Sequence, residues 1–316
     1  MNFSKLCVVV LCTLMVMVRC ETKKKIASGD GYVDVKGGKI WYKVVGEGDK
    51  TPILLLHGGP GSPGYYLNPL MALGKDRQVI TFHQLGCGRS DKITDTTLMT
   101  IDNHIDQINR LLKALNIQDF YLYGHSWGAM LGTDYYLKNG ERIKGLILAS
   151  PCLSSKLWVA DADTLIATLP DSVQLILRNN IKGVQQDSLT LAKAVNVYFE
   201  NFYTRKKPFS ADIDSTQAQV GLPVYYYMWG TNEFFASGPL KTYDRTKDLS
   251  RINVPALYTV GEYDAARPGT VKYYQSLTPN SKFKIIPNAG HITMQDNPEE
   301  DVNAISGFLN ELDNIK

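Results

Sequence analysis

The sequence predicts an α/β fold with a mostly parallel central sheet, interrupted by a largely helical insertion. Short apolar runs with strand character alternate with longer helix-like stretches from about residue 28 onward, which is the pattern of a parallel sheet covered by helices. The alternation weakens at about residue 152. Near residue 251 the same alternation of strand-like and helix-like segments resumes. With 44% hydrophobic and 21% charged residues, the composition is that of a globular domain and excludes disordered, collagen-like and coiled-coil chains.

The strands are predicted where short apolar runs end in turn residues. They cover residues 40–45, 53–56, 78–82, 120–123, 145–149, 255–260 and 283–286. Helices are predicted at 129–139 and 298–312, and at 100–115, where the apolar residues recur with the spacing of an amphipathic helix. The segment 152–250 has weaker helical signals and many aromatic residues. We therefore expect a core built from residues 28–151 and 251–316, with residues 152–250 inserted as a helical cap.

The first 20 residues resemble a signal peptide. Lys5 precedes an apolar run of about 13 residues, which is too short for a membrane span of ~20 residues. We expect an exported protein, periplasmic or secreted, and the alternative interpretation is a lipid anchor at Cys20. The formal net charge of +3 falls to about +1 without Lys5 and Arg19 of this segment, so a nucleic-acid partner is not expected.

The cysteines give no sign of a metal site or a disulfide framework. Three of the five lie in the first 20 residues, and no Cys-x-x-Cys pair occurs. Whether the remaining two, Cys87 and Cys152, form a disulfide is left open. We expect no metal and no cofactor.

The strongest motif is Gly124-His125-Ser126-Trp127-Gly128, which follows a predicted strand and precedes a predicted helix. This Gly-x-Ser-x-Gly pattern is typical of a sharp turn that exposes a nucleophilic serine at the edge of the sheet, where side chains at the flanking positions would clash. The sequence therefore predicts an α/β-hydrolase fold with Ser126 as the nucleophile.

A serine nucleophile needs a base and a carboxylate that orients the base, and in this fold they follow the serine in the order acid, then histidine. His291 is the one histidine that follows the motif, in a loop after the last predicted strand. Asp264 lies in the loop after the preceding strand and is the predicted acid, with Glu262 as the alternative.

Glycines after the second predicted strand suggest an oxyanion hole. The segment 57–61 reads His-Gly-Gly-Pro-Gly, and such a loop lets backbone N–H groups approach a tetrahedral intermediate. We expect donors from the Gly58–Gly59 loop and from the N–H of Trp127, the residue after the nucleophile.

Six ordered motifs resemble the proline iminopeptidase (prolyl aminopeptidase) family of α/β-hydrolases, and the tricorn-interacting aminopeptidase type in particular. They are HGGPG, HQLGCGRSD, GHSWGA, MWGTNEF, GEYDAARP and AGHITM, and the resemblance spans roughly residues 28–316. It implies release of an N-terminal residue, often proline, from short peptides without a metal.

The resemblance also implies a binding site for the substrate's ammonium group. In the family, the Glu of an Asn-Glu-Phe motif binds it, and the matching residue here is Glu233. Nearby aromatic residues are expected to line a proline-sized pocket, and they include Phe234, Trp229 and Tyr227.

Two positions depart from the family pattern. Related enzymes often have a second ammonium-binding Glu directly after the catalytic Asp, where this chain has Ala265. His83 replaces the usual Asp at the start of a Gly-rich segment, and we interpret that position as structural.

These observations together predict a serine aminopeptidase that acts on short peptides with a free N-terminus, without a stable membrane span. The oligomeric state is not specified. The alternative is an amidase, esterase or lactonase of the same fold that does not require a free N-terminus, which the loss of the second Glu favours. A non-catalytic binding protein on this scaffold is disfavoured because the serine, histidine and aspartate candidates are all present.

Overall fold

A single mixed sheet dominates the structure. The computed structural model describes residues 26–314, and in this range eight strands pair in the order β1-β2-β4-β3-β5-β6-β7-β8. The strands are β1 Gly29–Val35, β2 Gly38–Val45, β3 Lys50–Leu56, β4 Arg77–Phe82, β5 Phe120–His125, β6 Ile143–Ala149, β7 Ala256–Gly261 and β8 Ser281–Ile286. Strands β3 to β8 run parallel, and β2 is antiparallel to both β1 and β4. The predicted α/β-hydrolase fold is confirmed.

Strand β1 precedes the first strand that the sequence predicts, at 40–45. Its sequence, GDGYVDV, has few apolar residues, and most of it is exposed or half-buried at the edge of the sheet. An edge strand with one solvated face has no need of the continuous apolar run that marks an inner strand. The inner strands β4, β5 and β7 are buried at every residue.

Helices cover both faces of the sheet. They are α1 Ile101–Ala114, α2 Trp127–Asn139, α3 Ser155–Ile166, α4 Asp171–Ile181, α5 Ser188–Phe202, α6 Ala211–Ala218, α7 Leu222–Met228, α8 Pro268–Ser276, α9 Thr293–Asp296 and α10 Pro298–Asp313. Alternate strand residues enter different hydrophobic clusters: Leu54 and Leu56 pack on one face, and Ile53 and Leu55 on the other. The alternation follows from the two-residue period of a strand.

Helices α3 to α7 lie between β6 and β7, in the segment for which a helical insertion was predicted. The two ends of this segment meet: Ser155 N donates to Tyr243 O, and Arg245 N donates to Leu153 O, both at 2.9 Å. The two segments that connect the insertion to the core thus lie side by side, near the carboxyl ends of the parallel strands. This placement leaves a space between the insertion and the sheet.

Cys87 and Cys152 are both buried and both free, so they form no disulfide. The predicted signal peptide, residues 1–20, lies outside the described residues. Between residues 26 and 314, no helix has the length and apolar character needed to cross a membrane.

Candidate active site

Ser126 occupies a sharp turn between β5 and α2. Its backbone has φ 56° and ψ −117°, a conformation that a non-glycine residue rarely adopts. Steric clashes with the backbone require glycine at both flanking positions. A Cβ on Gly124 would lie 2.2 Å from Gly128 O, and a Cβ on Gly128 would lie 2.3 Å from Leu56 O. Residues 124–128 therefore form the strand–turn–helix geometry of a nucleophile elbow.

His291 and Asp264 form a buried pair close to this turn. His291 Nδ1 lies 2.7 Å from Asp264 Oδ1. The carboxylate also accepts hydrogen bonds from Ala266 N, Gly261 N and Ser150 Oγ, at 2.7, 3.1 and 2.6 Å. With four donors around it, Asp264 is held in one orientation, so His291 carries its proton on Nδ1 and leaves Nε2 free as a base.

Glu262, the alternative acid, lies elsewhere. Its Oε2 accepts a hydrogen bond from Asn288 N at 2.9 Å in an exposed turn. The structure thus pairs His291 with Asp264 and leaves Glu262 to stabilise the loop that precedes the histidine.

Ser126 and His291 line one cavity of about 360 Å³ between the sheet and the insertion. The cavity is also lined by Gly58, Gly59, Ser62, Tyr66, His125, Phe199, Tyr203, Thr204, Phe209, Ile213, Thr216, Gln217, Val220, Tyr225, Glu233 and Ile292. Most of these side chains are apolar or aromatic, as is typical of a small-molecule site with few polar groups.

The two glycines predicted to form the oxyanion hole have different roles. Gly58 N donates to the Tyr66 hydroxyl at 2.7 Å, so this N–H is already engaged. Gly59 has φ 113°, which a side chain would strain. The donors left for an oxyanion are the N–H groups of Gly59 and of Trp127, the first residue of α2, whose amide has no acceptor within the helix.

A chain of hydrogen bonds connects the oxyanion loop to the histidine loop. His125 Nε2 lies 2.9 Å from His291 O, and His125 Nδ1 lies 2.8 Å from the Tyr66 hydroxyl. A carbonyl oxygen only accepts, so His125 donates through Nε2 and accepts from Tyr66 through Nδ1. This requires a neutral ring, and burial lowers the pKa of His125 to about 3.

Glu233 lines the cavity and lies between two phenols. Its Oε1 accepts from the Tyr203 hydroxyl at 2.5 Å, and its Oε2 accepts from the Tyr225 hydroxyl. Burial raises the pKa of Glu233, while the two phenol hydrogen bonds and the nearby His291 act in the opposite direction. The result is a carboxyl group in a mostly apolar cavity, fixed by two neutral donors.

Three predicted pocket residues do not line the cavity, and this part of the prediction is wrong. Tyr227 is 39% exposed on the outer side of α7, whereas Tyr225 on the same helix faces inward. Phe234 is buried against Tyr198, with ring centroids 4.7 Å apart, and Trp229 packs edge-on against Trp158. Residues two apart on a helix point about 200° apart, so one helix cannot direct both Tyr225 and Tyr227 into the site.

Ala265 and His83 are both buried outside the cavity lining. Ala265 N donates to Phe202 O at 3.2 Å, and its methyl group offers nothing to an ammonium group. His83 lies between the rings of Trp41 and Tyr65, and its Nδ1 accepts from Arg89 N at 3.0 Å. Burial lowers the pKa of His83 to about 2, so the neutral ring accepts this loop N–H.

Sequence reasoning missed three residues that hold the site together: Tyr66, Ser150 and Tyr203. Each belongs to no motif, and each is 30 or more residues from the side chain to which it hydrogen-bonds. The insertion is rich in aromatic residues, but its composition does not indicate which rings face the cavity.

Comparisons with known proteins agree with this geometry. Residues 51–298 match the family model of the α/β hydrolase fold. A proline iminopeptidase of Heyndrickxia coagulans is 39% identical over 286 residues, which cover 90% of this chain and 99% of that protein. A proline iminopeptidase of Saccharolobus solfataricus is 31% identical, covering 90% and 93%. The crystal structure of proline iminopeptidase from Mycobacterium smegmatis superposes with a TM-score of 0.84 at 27% identity, covering 90% of this chain and 99% of that one.

Proposed function

This chain belongs to the proline iminopeptidase family of α/β-hydrolases, and from that membership we propose a serine aminopeptidase that releases N-terminal residues, foremost proline, from short peptides. The observation that carries the proposal is the cavity in which Ser126 and the His291–Asp264 pair share one space with Glu233. A nucleophile with its base and an anchor for a cation are the two requirements of a metal-free aminopeptidase.

In the proposed reaction, His291 acts alternately as a base and as an acid. His291 Nε2 takes the proton of Ser126 Oγ as the oxygen attacks the carbonyl carbon of the first residue. The N–H groups of Gly59 and Trp127 stabilise the oxyanion of the tetrahedral intermediate. His291 then protonates the leaving amine, the C–N bond breaks, and an acyl-enzyme remains. A water molecule, deprotonated by His291, hydrolyses the ester and restores Ser126.

Glu233 gives the reaction its requirement for a free amine. The Tyr203 and Tyr225 hydroxyls fix both carboxylate oxygens, so the negative charge is in place before substrate arrives. A charge pair formed in a mostly apolar cavity is stronger than one in water, which favours an α-ammonium over an acylated nitrogen.

The second candidate is an amidase, esterase or lactonase without this requirement. Ala265 favours it, because the cavity then holds a single carboxylate where related enzymes often have two. The two functions differ in whether acetylation of the substrate amine abolishes turnover.

The test is turnover by residues 21–316 of prolyl and alanyl anilides, N-acetylprolyl anilide and an aryl ester. We expect cleavage of the free-amine anilides and none of the acetylated one. In Ser126→Ala, kcat for the anilides falls by about 10⁴-fold or more. Equal turnover of free and acetylated anilides rejects the aminopeptidase in favour of the second candidate.

The role of Glu233 predicts a pH effect. Because burial raises the pKa of Glu233, the carboxylate protonates as the pH falls through that raised pKa, and KM for prolyl anilide rises on the acid side. In Glu233→Gln the anchor charge is absent at every pH, so kcat/KM falls by about 100-fold and KM loses this acid-side rise. Glu262→Gln is the matched control and keeps kcat/KM within about threefold. An unchanged KM in Glu233→Gln contradicts the anchor role.

We also propose that the protein is exported, from the signal-like character of residues 1–20. N-terminal sequencing of the protein from its native cells tests this. A mature chain that begins at or near residue 21 supports export, and a chain that keeps residues 1–20 contradicts it.

A further inference from the structure

The segment 83–91, which reads HQLGCGRSD, begins directly after β4 and contains a buried glutamine, Gln84. This side chain does not line the cavity. Strands β4, β3 and β5 are neighbours in the sheet, and Gln84, His57 and Trp127 each lie one or two residues beyond the carboxyl end of one of them. Gln84 is therefore placed beside both segments that provide donors to the oxyanion hole.

The Gln84 side chain makes one hydrogen bond to each of these segments. Its Nε2 donates to His57 O at 3.1 Å, and its Oε1 accepts from Trp127 Nε1 at 2.9 Å. The carbonyl oxygen only accepts and the indole N–H only donates, so each bond by itself requires this orientation of the amide. Gln84 thus connects the loop that contains Gly59 to the first residue of α2.

On the loop side, the His57 ring strengthens this connection. The backbone N–H of Gln84 donates to His57 Nε2 at 2.9 Å, so Nε2 carries no proton. The neutral ring therefore has its proton on Nδ1, which donates to Gly58 O at 2.9 Å. Burial lowers the pKa of His57 to about 4, which keeps the ring neutral near pH 7. The peptide groups that precede Gly59 are thereby fixed relative to Gln84.

On the helix side, Trp127 has little freedom to move. It is buried, and its ring packs edge-on against the His104 ring with centroids 5.6 Å apart. The next residue, Gly128, lies so close to the loop that a Cβ on it would be 2.8 Å from His57 O. An oxyanion requires both donors within about 2.7–3.1 Å of one point, so a small shift of either segment weakens its stabilisation.

From these contacts we propose that Gln84 is a positioning residue that sets the separation of the two oxyanion donors, the N–H groups of Gly59 and Trp127. Its amide nitrogen holds the loop 57–61, and its amide oxygen holds the indole. Tyr66, in contrast, connects the same loop to the histidine side of the site. The inference rests on the oxyanion hole of the reaction proposed above, which an amidase or esterase of this fold also needs.

The first test is Gln84→Met, which removes both side-chain hydrogen bonds and nearly keeps the length of the side chain. We expect kcat for prolyl anilide and for an aryl ester to fall by about 10- to 100-fold, with KM within about threefold, because the oxyanion develops only in the transition state. Gln78→Met is the matched control. Gln78 is buried at the other end of β4, where it donates to Ile26 O, so kcat stays within about twofold.

An unchanged kcat in Gln84→Met overturns the positioning role and leaves the aminopeptidase standing. Turnover of the ester without turnover of any anilide by the unaltered protein overturns the aminopeptidase instead, and the ester then measures the effect of Gln84→Met.

Two inhibitors distinguish a misplaced oxyanion hole from a general loosening of the site. Pyrrolidine-2-boronic acid forms a tetrahedral adduct with Ser126 Oγ and places an oxygen where the oxyanion develops, whereas prolinol binds through its ammonium group and forms no adduct. In Gln84→Met, the inhibition constant of the boronic acid is expected to rise about as much as kcat/KM falls, while that of prolinol stays within about twofold. An equal rise for both inhibitors contradicts the proposal.

Trp127→Phe tests the same hydrogen bond from its other end, because phenylalanine keeps the backbone N–H and lacks Nε1. We expect a fall in kcat similar to that of Gln84→Met. Since either substitution breaks the connection between the two segments, the double variant is expected to have a kcat within about threefold of the less active single variant. Losses that multiply in the double variant show independent effects and contradict the proposal.

Discussion

At the scale of single residues, the site depends on side chains that hold other groups of the site in position. Tyr66 accepts the Gly58 N–H and donates to His125, which in turn donates to the carbonyl of His291. One phenol thus sets the orientation of the Gly58–Gly59 peptide relative to the base. The adjacent Tyr65 contacts Gln219 and the ring of His83 instead, outside the cavity lining.

Tyr66→Phe is expected to lower kcat by about 10- to 100-fold with little change in KM, because the oxyanion loop loses its tether while Glu233 is untouched. Steady-state kinetics on prolyl anilide measures the split between kcat and KM. Tyr65→Phe is the matched control and keeps kcat within about twofold. The same loss in both variants, or a loss confined to KM, contradicts a positioning role for Tyr66.

At the scale of elements, the contact between β3, β5 and α2 positions the turn that carries Ser126. Helix α2 approaches so closely that Gly128 lies against the backbone of Leu56. One turn further along the helix the packing is looser, because a Cβ on Gly132 would meet its nearest neighbour, Leu56 Cδ1, at an ordinary contact distance of 3.6 Å. Substitution by alanine at each of these two glycines therefore distinguishes the effect of close backbone packing from the effect of helix propensity.

Gly128→Ala is expected to lower the free energy of unfolding by about 1–3 kcal/mol and to reduce activity, because the helix must move away from the strand. Gly132→Ala is expected to keep activity and to raise the free energy of unfolding by up to about 1 kcal/mol, since alanine favours the helix. Urea unfolding of both variants measures the difference. Equal stabilities for the two variants refute the close-packing argument.

At the scale of the whole molecule, helices on both faces bury the sheet, and Asp301 is among the acids buried with it. Asp301 in the first turn of α10 is fully buried and accepts from Thr293 Oγ1 at 3.1 Å. Within the described residues its Oδ1 has no hydrogen-bond partner. Burial raises the pKa of Asp301 to about 7, so the folded protein favours the protonated form.

Because the pKa of Asp301 is higher in the folded state than in the unfolded chain, its contribution to the free energy of unfolding depends on pH. The unfolded chain releases this proton near pH 4, so the stabilising effect of the protonated form is lost as pH rises from about 4 to about 7. Asp301→Asn removes that loss and is expected to raise the free energy of unfolding by about 2 kcal/mol more at pH 8 than at pH 5. Urea unfolding at both pH values tests this. Glu299→Gln, an exposed acid in the same helical turn, is the control, and an equal effect of Asp301→Asn at both pH values counts against the raised pKa.

The sequence by itself determined the fold and the order of the chemical groups. Gly124, Gly128 and Ser126 are contiguous in one turn, and Asp264 and His291 follow strands whose carboxyl ends meet at one edge of a parallel sheet. Local spacing and sheet topology are enough to bring such groups together, and the family membership and the serine aminopeptidase function followed from the same motifs.

The tertiary structure alone decided which aromatic residues line the cavity. Tyr203 and Tyr225 reach Glu233, while Tyr227 faces solvent and Phe234 packs into the insertion. It also decided that the Gly58 N–H donates to the Tyr66 hydroxyl, whereas the sequence alone predicted this N–H as an oxyanion donor. In a short helix or a loop, the direction of a side chain is set by packing against residues far away in the chain, and neither composition nor spacing encodes that contact.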